Sequence, residues 1–225
     1  MCNYEKEPTV LKNRMDDMDS RTKAEKFWDR AATSYDKEEK KDEKTYRLIL
    51  EKLHGHLHST DVVLDYGCGT GLISNEIAGS VGTVRGIDLS SKMVEMAKIK
   101  AKKQGLSNTE YVHETVFSDR LEFGSFDVIL SFHILHLLND PASVISRLHR
   151  LLKPKGLLLS VTPCMGEKPV LNTLFSLLGS LGVMPKIQSF KRHDLEQMLA
   201  STGFGRVESE KLNGTSNQYF TVARK

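Results

Sequence analysis

The fold of this chain is decided by the stretch Val62-Val63-Leu64-Asp65-Tyr66-Gly67-Cys68-Gly69-Thr70-Gly71-Leu72. A short apolar run ends in a carboxylate, glycine then occupies every second position, and a segment compatible with a helix follows from Leu72. This order predicts a strand, a tight turn and the start of a helix. Glycines at the turn let the backbone come close to a ligand where a Cβ atom would clash. The free N–H groups at the helix start add a positive potential.

The spacing of the glycines separates two kinds of nucleotide-binding loop. The dinucleotide fingerprint G-x-G-x-x-G, counted from Gly67, requires a glycine at position 72, where this chain has Leu72. Asp65 also lies in the neighbourhood where a pyrophosphate would have to sit. A carboxylate there suits a ligand that carries an amino-acid cation, so the loop disfavours a dinucleotide.

A second acid, Asp88, ends the segment Thr83-Val84-Arg85-Gly86-Ile87-Asp88, which is typical of another strand. It lies about 20 residues beyond the glycine loop, the spacing at which an acid binds both hydroxyls of a ribose in a strand–helix–strand unit. The alternative is that Asp88 is the N-cap of the following helix, because Ser90 and Ser91 come next. The agreement of strand, acid and spacing favours the ribose role.

These residues resemble the cofactor loop of class I S-adenosylmethionine (SAM)-dependent methyltransferases, whose pattern acidic-x-Gly-x-Gly-x-Gly is matched by Asp65, Gly67, Gly69 and Gly71. The chain is similar to the family at three more places: A-x-x-Y-D at 32–36, L-K-P-x-G at 152–156, and a closing hairpin. The resemblance implies that Asp65 and the loop hold the amino-acid end of SAM, and Asp88 its ribose. It implies further cofactor contacts for Tyr35, Tyr66, Cys68, Leu89, Met93, Thr115, Val116 and Ser131.

Two of these implied contacts have open alternatives. Thr115 stands where the family often has an aspartate that reads the adenine edge, and Glu114 serves instead if the alignment slips by one. Tyr35 is expected to fold over the methionine end of SAM, but it can equally be a packing residue of its helix. For Trp28, which precedes Tyr35 in the same segment, packing of the helix is favoured over a role at the cofactor site.

The segment Ser131-Phe132-His133-Ile134-Leu135-His136 resembles branches of the family that act on quinone precursors and other small metabolites. It lacks the Asn/Asp-Pro-Pro-aromatic element of enzymes that methylate adenine amines. On a helical turn His133 and His136 would share one face, toward the cofactor. A neutral imidazole suits the removal of one proton from an acceptor near pH 7. His133, His136 and Tyr35 are therefore the candidate catalytic residues, with local packing as the alternative for His136.

The order of the elements predicts one α/β domain with a three-layer α/β/α, Rossmann-like sheet of seven strands, the last antiparallel. Residues 1–19 are expected to be a flexible arm, and residues 20–225 the methyltransferase domain. Within it, residues 20–58 form N-terminal cap helices. Residues 163–190 form an apolar insert that is either a lid over the substrate or a face for a homodimer.

Composition excludes several classes of protein. The 225 residues carry a net charge of +3, which gives no reason to expect a nucleic-acid partner. The three cysteines, Cys2, Cys68 and Cys164, are too scattered for a disulfide framework or a zinc site, and no metal is expected. No apolar run reaches membrane-spanning length, and the N-terminus lacks the apolar core of a secretion signal. A cytoplasmic location is expected.

The predicted activity is transfer of the methyl group of SAM to an oxygen, nitrogen or carbon atom of a small, partly apolar metabolite. Two alternatives stay open at this point. One is a SAM-binding protein without catalysis, because no single side chain is indispensable to the chemistry. The other is an NAD-dependent oxidoreductase, which Leu72 and the closing hairpin disfavour.

Overall fold

The computed structural model describes residues 7–168, 173, 177, 187–213 and 217–225. Its helices are α1 (Glu7–Glu39), α2 (Glu43–His54), α3 (Leu72–Ile77), α4 (Ser91–Lys103), α5 (Pro141–Leu151) and α6 (Arg192–Ser201). Its strands are β1 (Val62–Tyr66), β2 (Thr83–Asp88), β3 (Thr109–His113), β4 (Phe126–Phe132), β5 (Leu152–Pro163), β6 (Arg206–Lys211) and β7 (Gln218–Arg224).

The seven strands form one sheet in the order β3-β2-β1-β4-β5-β7-β6. Strands β1 to β5 are parallel, and β7 runs antiparallel between β5 and β6. The predicted fold class, with its antiparallel closing strand, is confirmed. The strand order reverses between β1 and β4, and open α/β sheets bind ligands at the carboxyl ends of the strands beside such a reversal.

Both faces of the sheet are covered, which is why its central strands are almost entirely apolar. Against one face, Ile49 and Leu53 of α2 and Ile77 of α3 pack on Val63 and Leu159. Against the other face, α5 and α6 contribute Ile145, Leu148, Leu195 and Leu199, which pack on Leu64 and Leu158. Alternate residues of each central strand therefore face opposite layers, and the three predicted layers are present.

Side chains at the helix starts explain where three of the helices begin. Asp42, Ser90 and Asp140 each accept a hydrogen bond from a backbone N–H three residues on, at 3.1 Å, and so cap α2, α4 and α5. Pro141 follows its cap at the first position of α5, where the missing N–H removes no helical hydrogen bond. Each of these three helices therefore begins at a residue whose side chain satisfies a free backbone N–H.

The N-terminal helix is much longer than the sequence pattern indicates. A flexible arm is predicted over residues 1–19 and a short helix from Ser20, whereas α1 begins at Glu7 and continues to Glu39. Pro8 falls in the first turn, where it is tolerated, and no glycine or further proline follows until Gly55. Ser20 is therefore inside a helix and does not cap one. The expected insert at 163–190 lies mostly outside the described residues.

Candidate active site

The glycine loop joins β1 to α3 in a conformation that only glycine adopts without strain. Gly67, Gly69 and Gly71 have φ angles of 76°, 51° and 70°, all in the left-handed region. A Cβ atom on Gly71 would lie 2.9 Å from the Tyr111 hydroxyl, and one on Gly67 would clash with the Ile134 side chain. The loop therefore depends on glycine twice, once for its φ angles and once for space.

Asp65 is a buried acid beside this loop. It is 4% exposed, and its Oδ2 accepts a hydrogen bond of 2.6 Å from the Ser74 hydroxyl of α3. Burial, opposed by the Ser74 hydrogen bond and reinforced by the nearby charge of Asp88, raises the pKa of Asp65 to about 6. A buried carboxylate in this state is stabilised by any cation that comes within contact distance. The surroundings of Asp65 therefore fit a positively charged amino group.

Asp88 follows on the neighbouring strand, held by two backbone amides. Its Oδ2 accepts from Gly69 N at 2.9 Å, and its Oδ1 accepts from Ser90 N at 2.8 Å. Burial raises the pKa of Asp88, and these hydrogen bonds oppose the rise. Ser90 caps α4, so Asp88 is not the N-cap. Because a carboxylate has about four acceptor sites, Asp88 keeps capacity for two ribose hydroxyls.

Helix α1 lies across the loop and is fixed to it by polar contacts. Asp36 accepts hydrogen bonds from Thr70 Oγ1 in the loop and, at 2.6 Å, from Lys100 Nζ of α4. The Tyr35 ring lies 3.5 Å from the position that a Cβ atom on Gly69 would occupy. Burial, followed by the charge of Glu39, raises the pKa of Tyr35 well above its usual value. Tyr35 therefore carries a neutral hydroxyl on a ring that packs against the loop, and its expected contact with the cofactor stays a prediction.

A small cavity lies between α1, α2, the loop and the end of β4. Its volume is about 40 Å³, below the roughly 300 Å³ at which ligand pockets begin. The cavity is lined by Tyr35, Glu39, Tyr46, Ile49, Asp65, Gly67, Cys68, Leu72, Ile73, Phe132 and His133. Five residues predicted from the sequence meet here, namely Tyr35, Asp65, Gly67, Cys68 and His133.

A larger open groove of about 490 Å³ lies elsewhere, at the amino ends of β1 to β4. It is lined by none of the predicted site residues and includes Arg85, Glu110 and Arg120. Ligands of open α/β sheets bind at the carboxyl ends of the strands, so the smaller cavity is the candidate site.

The two candidate histidines differ in position. His133 follows β4 with a φ of 55°, its N–H donates to Val161 O at 2.8 Å, and its ring lines the cavity. His136 is 8% exposed in the 3₁₀ turn Leu135–Leu137 and does not line the cavity. The expectation that both lie on one helical turn is wrong, because His133 is not helical. Burial lowers the pKa of His133. Burial, followed by the charge of His133, lowers the pKa of His136 to about 3.

The remaining predicted cofactor contacts lie around the loop or in the core. Met93 packs under the loop, with its sulfur 4.0 Å from a Cβ position on Gly69, and the Leu89 carbonyl contacts His113 Nε2 at 2.8 Å. Thr115 Oγ1 accepts from Phe117 N at 3.2 Å, and Val116 is 2% exposed. Tyr66 and Ser131 are buried in the sheet, where Ser131 pairs with Ser160.

Glu114, the alternative to Thr115, has other partners for its side chain. Its carboxylate lies 3.2 Å from Arg85 Nη2 and also accepts from the Ser118 hydroxyl. The side chain is 8% exposed and satisfied by these contacts. The contacts of Glu114 are therefore with Arg85 and Ser118, and the adenine contacts expected of Thr115 and Val116 stay predictions.

Comparison with known proteins decides the family. A family model described as a methyltransferase domain matches residues 57–202. The chain belongs to the SAM-dependent methyltransferases. This methyltransferase is 33% identical over 125 residues, 55% of its length, to the ubiquinone biosynthesis O-methyltransferase of Paracidovorax citrulli, of which the match spans 52%. It is 29% identical over 174 residues to the demethylmenaquinone methyltransferase of Lactococcus lactis, covering 68% of this chain and 69% of that enzyme.

The fold of the methyltransferase agrees with solved structures. The DhpI–SAH complex superposes with a TM-score of 0.71 at 18% identity, covering 91% of this chain and 96% of that one. At that identity the likeness concerns the fold alone. The resemblance stated from the cofactor loop and from segment 131–136 is confirmed by the family match and by the named relatives.

Among the residues that line the cavity, sequence reasoning missed two polar side chains, Glu39 and Tyr46. Glu39 lies four residues after Tyr35, so helical spacing alone places the two on one face of α1. That signal was available, but the helix was predicted to end too early for it to be used. Tyr46 projects from α2, and its approach depends on how α1 and α2 are joined, which periodicity does not encode.

The described part of the chain holds no group of three or more His, Cys, Asp or Glu side chains able to bind a metal ion. Among its helices, none is long and apolar enough to cross a membrane.

Proposed function

We propose that the protein transfers the methyl group of SAM to an oxygen, nitrogen or carbon atom of a small, partly apolar molecule. The observation that carries the proposal is a pair of acids, the buried Asp65 and the half-buried Asp88, on neighbouring strands on either side of a left-handed glycine loop. Both acids have raised pKa values, which a cationic, hydroxyl-bearing ligand would bring down. SAM carries an ammonium group, a sulfonium group and a ribose diol.

The residues have separate roles in this proposal. Asp65 and the glycine loop bind the amino-acid end, Asp88 the ribose, and Leu89, Met93, Thr115 and Val116 enclose the adenine. SAM supplies a methyl group already activated by its positive sulfur. The protein holds the acceptor in line and excludes water, and such positioning contributes about 7–11 kcal/mol to lowering a barrier.

The surroundings of His133 support a partly apolar acceptor. The cavity wall beside it includes Ile49, Leu72, Ile73 and Phe132, with Tyr35 and Tyr46 as polar groups. Apolar walls with a few convergent polar groups are typical of sites for small organic ligands. The names of the relatives from Paracidovorax citrulli and Lactococcus lactis point to quinone-related acceptors as the first compounds to assay.

Isothermal titration with SAM, S-adenosylhomocysteine and NADH tests the cofactor. We expect binding of the first two and none of NADH, and the reverse pattern would overturn the proposal. Labelled SAM, incubated with a panel of hydroxylated quinone precursors and related metabolites, tests the transfer. Tight SAM binding without transfer to any acceptor would identify a binding protein without catalysis.

Several sequence-based expectations stay predictions beside this proposal. They are the lid or homodimer role of residues 163–190, the cytoplasmic location, and the lack of a nucleic-acid partner. Size-exclusion chromatography with light scattering measures the oligomeric state directly.

A further inference from the structure

Glu39 connects the two cavity residues that the sequence singles out for chemistry. It lies one helical turn after Tyr35 on α1, and its charge, second to burial, raises the pKa of the Tyr35 hydroxyl. Its Oε2 lies 3.9 Å from Nε2 of His133, which comes from the end of β4. The side chains of His133 and Glu39 are only 23% and 33% exposed, and both line the cavity beside Asp65 and Gly67. Glu39 therefore faces the place where the methyl group would be transferred.

The backbone of His133 is held in an unusual conformation that directs its ring to this place. A left-handed φ such as its 55° costs about 1–3 kcal/mol for a residue other than glycine and persists only where surrounding structure enforces it. The hydrogen bond from His133 N to Val161 O, at 2.8 Å, fixes the residue to β5. Such strain concentrates at functional sites. The ring is thus presented to Glu39 at an energetic cost.

We propose that Glu39 is the positioning residue for His133. Its carboxylate keeps the ring hydrogen on Nε2, which leaves Nδ1 free to accept a proton from an acceptor hydroxyl. This inference rests on the proposed methyl transfer and narrows its acceptor to a molecule with an ionisable O–H group. The separation of 3.9 Å is longer than a hydrogen bond, and catalytic hydrogen bonds are commonly long before substrate is bound.

The proton and electrons balance in a single displacement. The acceptor O–H bond breaks and its proton moves to Nδ1 of His133. An oxygen lone pair forms the new bond to the methyl carbon, while the carbon–sulfur bond breaks and its electron pair stays on sulfur. Glu39 then stabilises the imidazolium that has formed, because an opposite charge within about 4–6 Å favours the charged form of a histidine.

The other groups around the ring do not replace Glu39 in this role. They are Tyr35 on the same helix, Tyr46 on α2, Asp65 and Cys68 at the end of β1, and His136 in the following turn. The tyrosines and Cys68 have raised pKa values and are neutral near pH 7. His136 is neutral because its pKa is lowered to about 3. Asp65 is a carboxylate, but Glu39 is the one described within 4.0 Å of the His133 ring.

Histidine NMR on the full-length protein tests the inference without cofactor or acceptor. Long-range ¹H–¹⁵N spectra of ¹⁵N-histidine protein report the pKa and the tautomer of each ring. The His133 signal is assigned by its loss in His133→Asn, since asparagine tolerates a left-handed φ. We expect Glu39→Gln to lower the pKa of His133 by about one unit and to abolish its preference for hydrogen on Nε2.

The matched control is Glu38→Gln, which removes the neighbouring carboxylate that pairs with Lys41 on the exposed side of α1. It should leave the His133 signal unchanged, and Glu39→Asp should restore part of the wild-type tautomer. An unchanged pKa and tautomer for His133 in Glu39→Gln would overturn the inference, whatever the protein methylates. Should Glu39→Gln not fold, the same comparison is made with Glu39→Ala, which also removes the carboxylate, and an unaltered His133 signal there would equally overturn the inference.

Kinetics with a hydroxyl acceptor found in the SAM assay give an independent readout. Glu39→Gln should lower kcat about tenfold, with the KM of the acceptor unchanged, since the residue acts through His133 and not through substrate binding. A raised KM with kcat intact would refute the positioning role. Failure of every acceptor would refute the proposed function instead, while the NMR result on Glu39 would stand.

Discussion

Replacing Asp65 by asparagine should make the free protein more stable and its binding of SAM weaker. Burial holds the pKa of Asp65 at about 6, against an ordinary 3.8. A shift of about two units corresponds to about 3 kcal/mol of unfavourable free energy above pH 6. Asparagine keeps an oxygen that can accept from the Ser74 hydroxyl and carries no charge. Asp65→Asn should therefore raise the free energy of unfolding by up to about 3 kcal/mol at pH 7.5.

The sign of the effect depends on pH in a defined way. Below pH 4 the carboxyl is protonated in both the folded and the unfolded chain, so the charge contributes nothing to the difference. Between pH 4 and pH 6 the unfolded chain loses its proton first, and wild-type stability falls relative to the variant by about 1.4 kcal/mol per pH unit. Urea unfolding of both proteins at pH 4, 5, 6 and 7.5 measures this divergence.

Asp127 provides a control in which the same substitution should have the opposite effect on stability. Its carboxylate accepts from Lys153 Nζ at 2.7 Å and from Val62 N at 2.9 Å, and the Lys153 contact lowers its pKa although burial opposes this. Its ionised form therefore stabilises the fold, and Asp127→Asn should be destabilised at neutral pH. An Asp65→Asn protein that loses stability at pH 7.5, as Asp127→Asn does, would refute the argument that Asp65 is electrostatically unfavourable in the free protein.

The affinity for SAM should change in the other direction. A charge-assisted hydrogen bond contributes about 1.5–3 kcal/mol, so Asp65→Asn should weaken SAM binding about 10- to 100-fold in isothermal titration. Binding of a cation lowers the pKa of Asp65, so wild-type affinity should rise with pH up to about 6. Unchanged affinity in a folded variant would show that the ammonium group of SAM does not contact Asp65.

Three further predictions follow from single contacts. Gly71→Ala should lower the free energy of unfolding by about 2 kcal/mol in urea, because the φ of Gly71 is left-handed and the added Cβ would meet Tyr111. Gly79→Ala is the control and should be nearly neutral, because nothing lies within 4 Å of its added Cβ. Lys100→Met removes a partner of Asp36 and should raise the amide exchange rate of α1 about fivefold. Lys102→Met, on the exposed side of α4, should leave the exchange rate of α1 unchanged. His136 is buried and neutral, with its pKa lowered to about 3, so its contribution to stability is lost as the pH falls from 6.5 towards 3. A His136→Gln protein that folds normally at pH 8 should therefore unfold at a lower pH than wild type in an acid titration.

The part of the structure that could be predicted from sequence is the part governed by local rules. Glycine spacing and the acids at the ends of β1 and β2 each act within a few residues of themselves, and each lies where predicted. Strand β5 begins at Leu152, inside the L-K-P-x-G segment at 152–156, because Phe126 already pairs with Leu152 before an irregular register and a left-handed Lys155. That early pairing depends on the neighbouring strand and leaves no periodic signal.

The site was predicted less completely because it is assembled from distant segments. Asp36 meets Thr70 and Lys100, and Glu39 meets His133, across separations of 30 to almost 100 residues. Each of these pairs depends on where the long helix α1 crosses the carboxyl ends of the central strands. Helical spacing from Tyr35 reaches Glu39 on the same face of α1, but nothing in the sequence pattern places that face against His133.

The arrangement of charges bears on both the binding of SAM and the release of its product. Asp65, Asp88 and Glu39 surround or adjoin the loop, while the cation Lys100 contacts Asp36 on α1. The charge of Asp88 contributes to the raised pKa of Asp65. A bound cation would relieve this repulsion between the two acids, which favours binding of a sulfonium. After transfer the sulfur is neutral and that gain is reduced, so the same acids that draw SAM in should weaken the hold on its product.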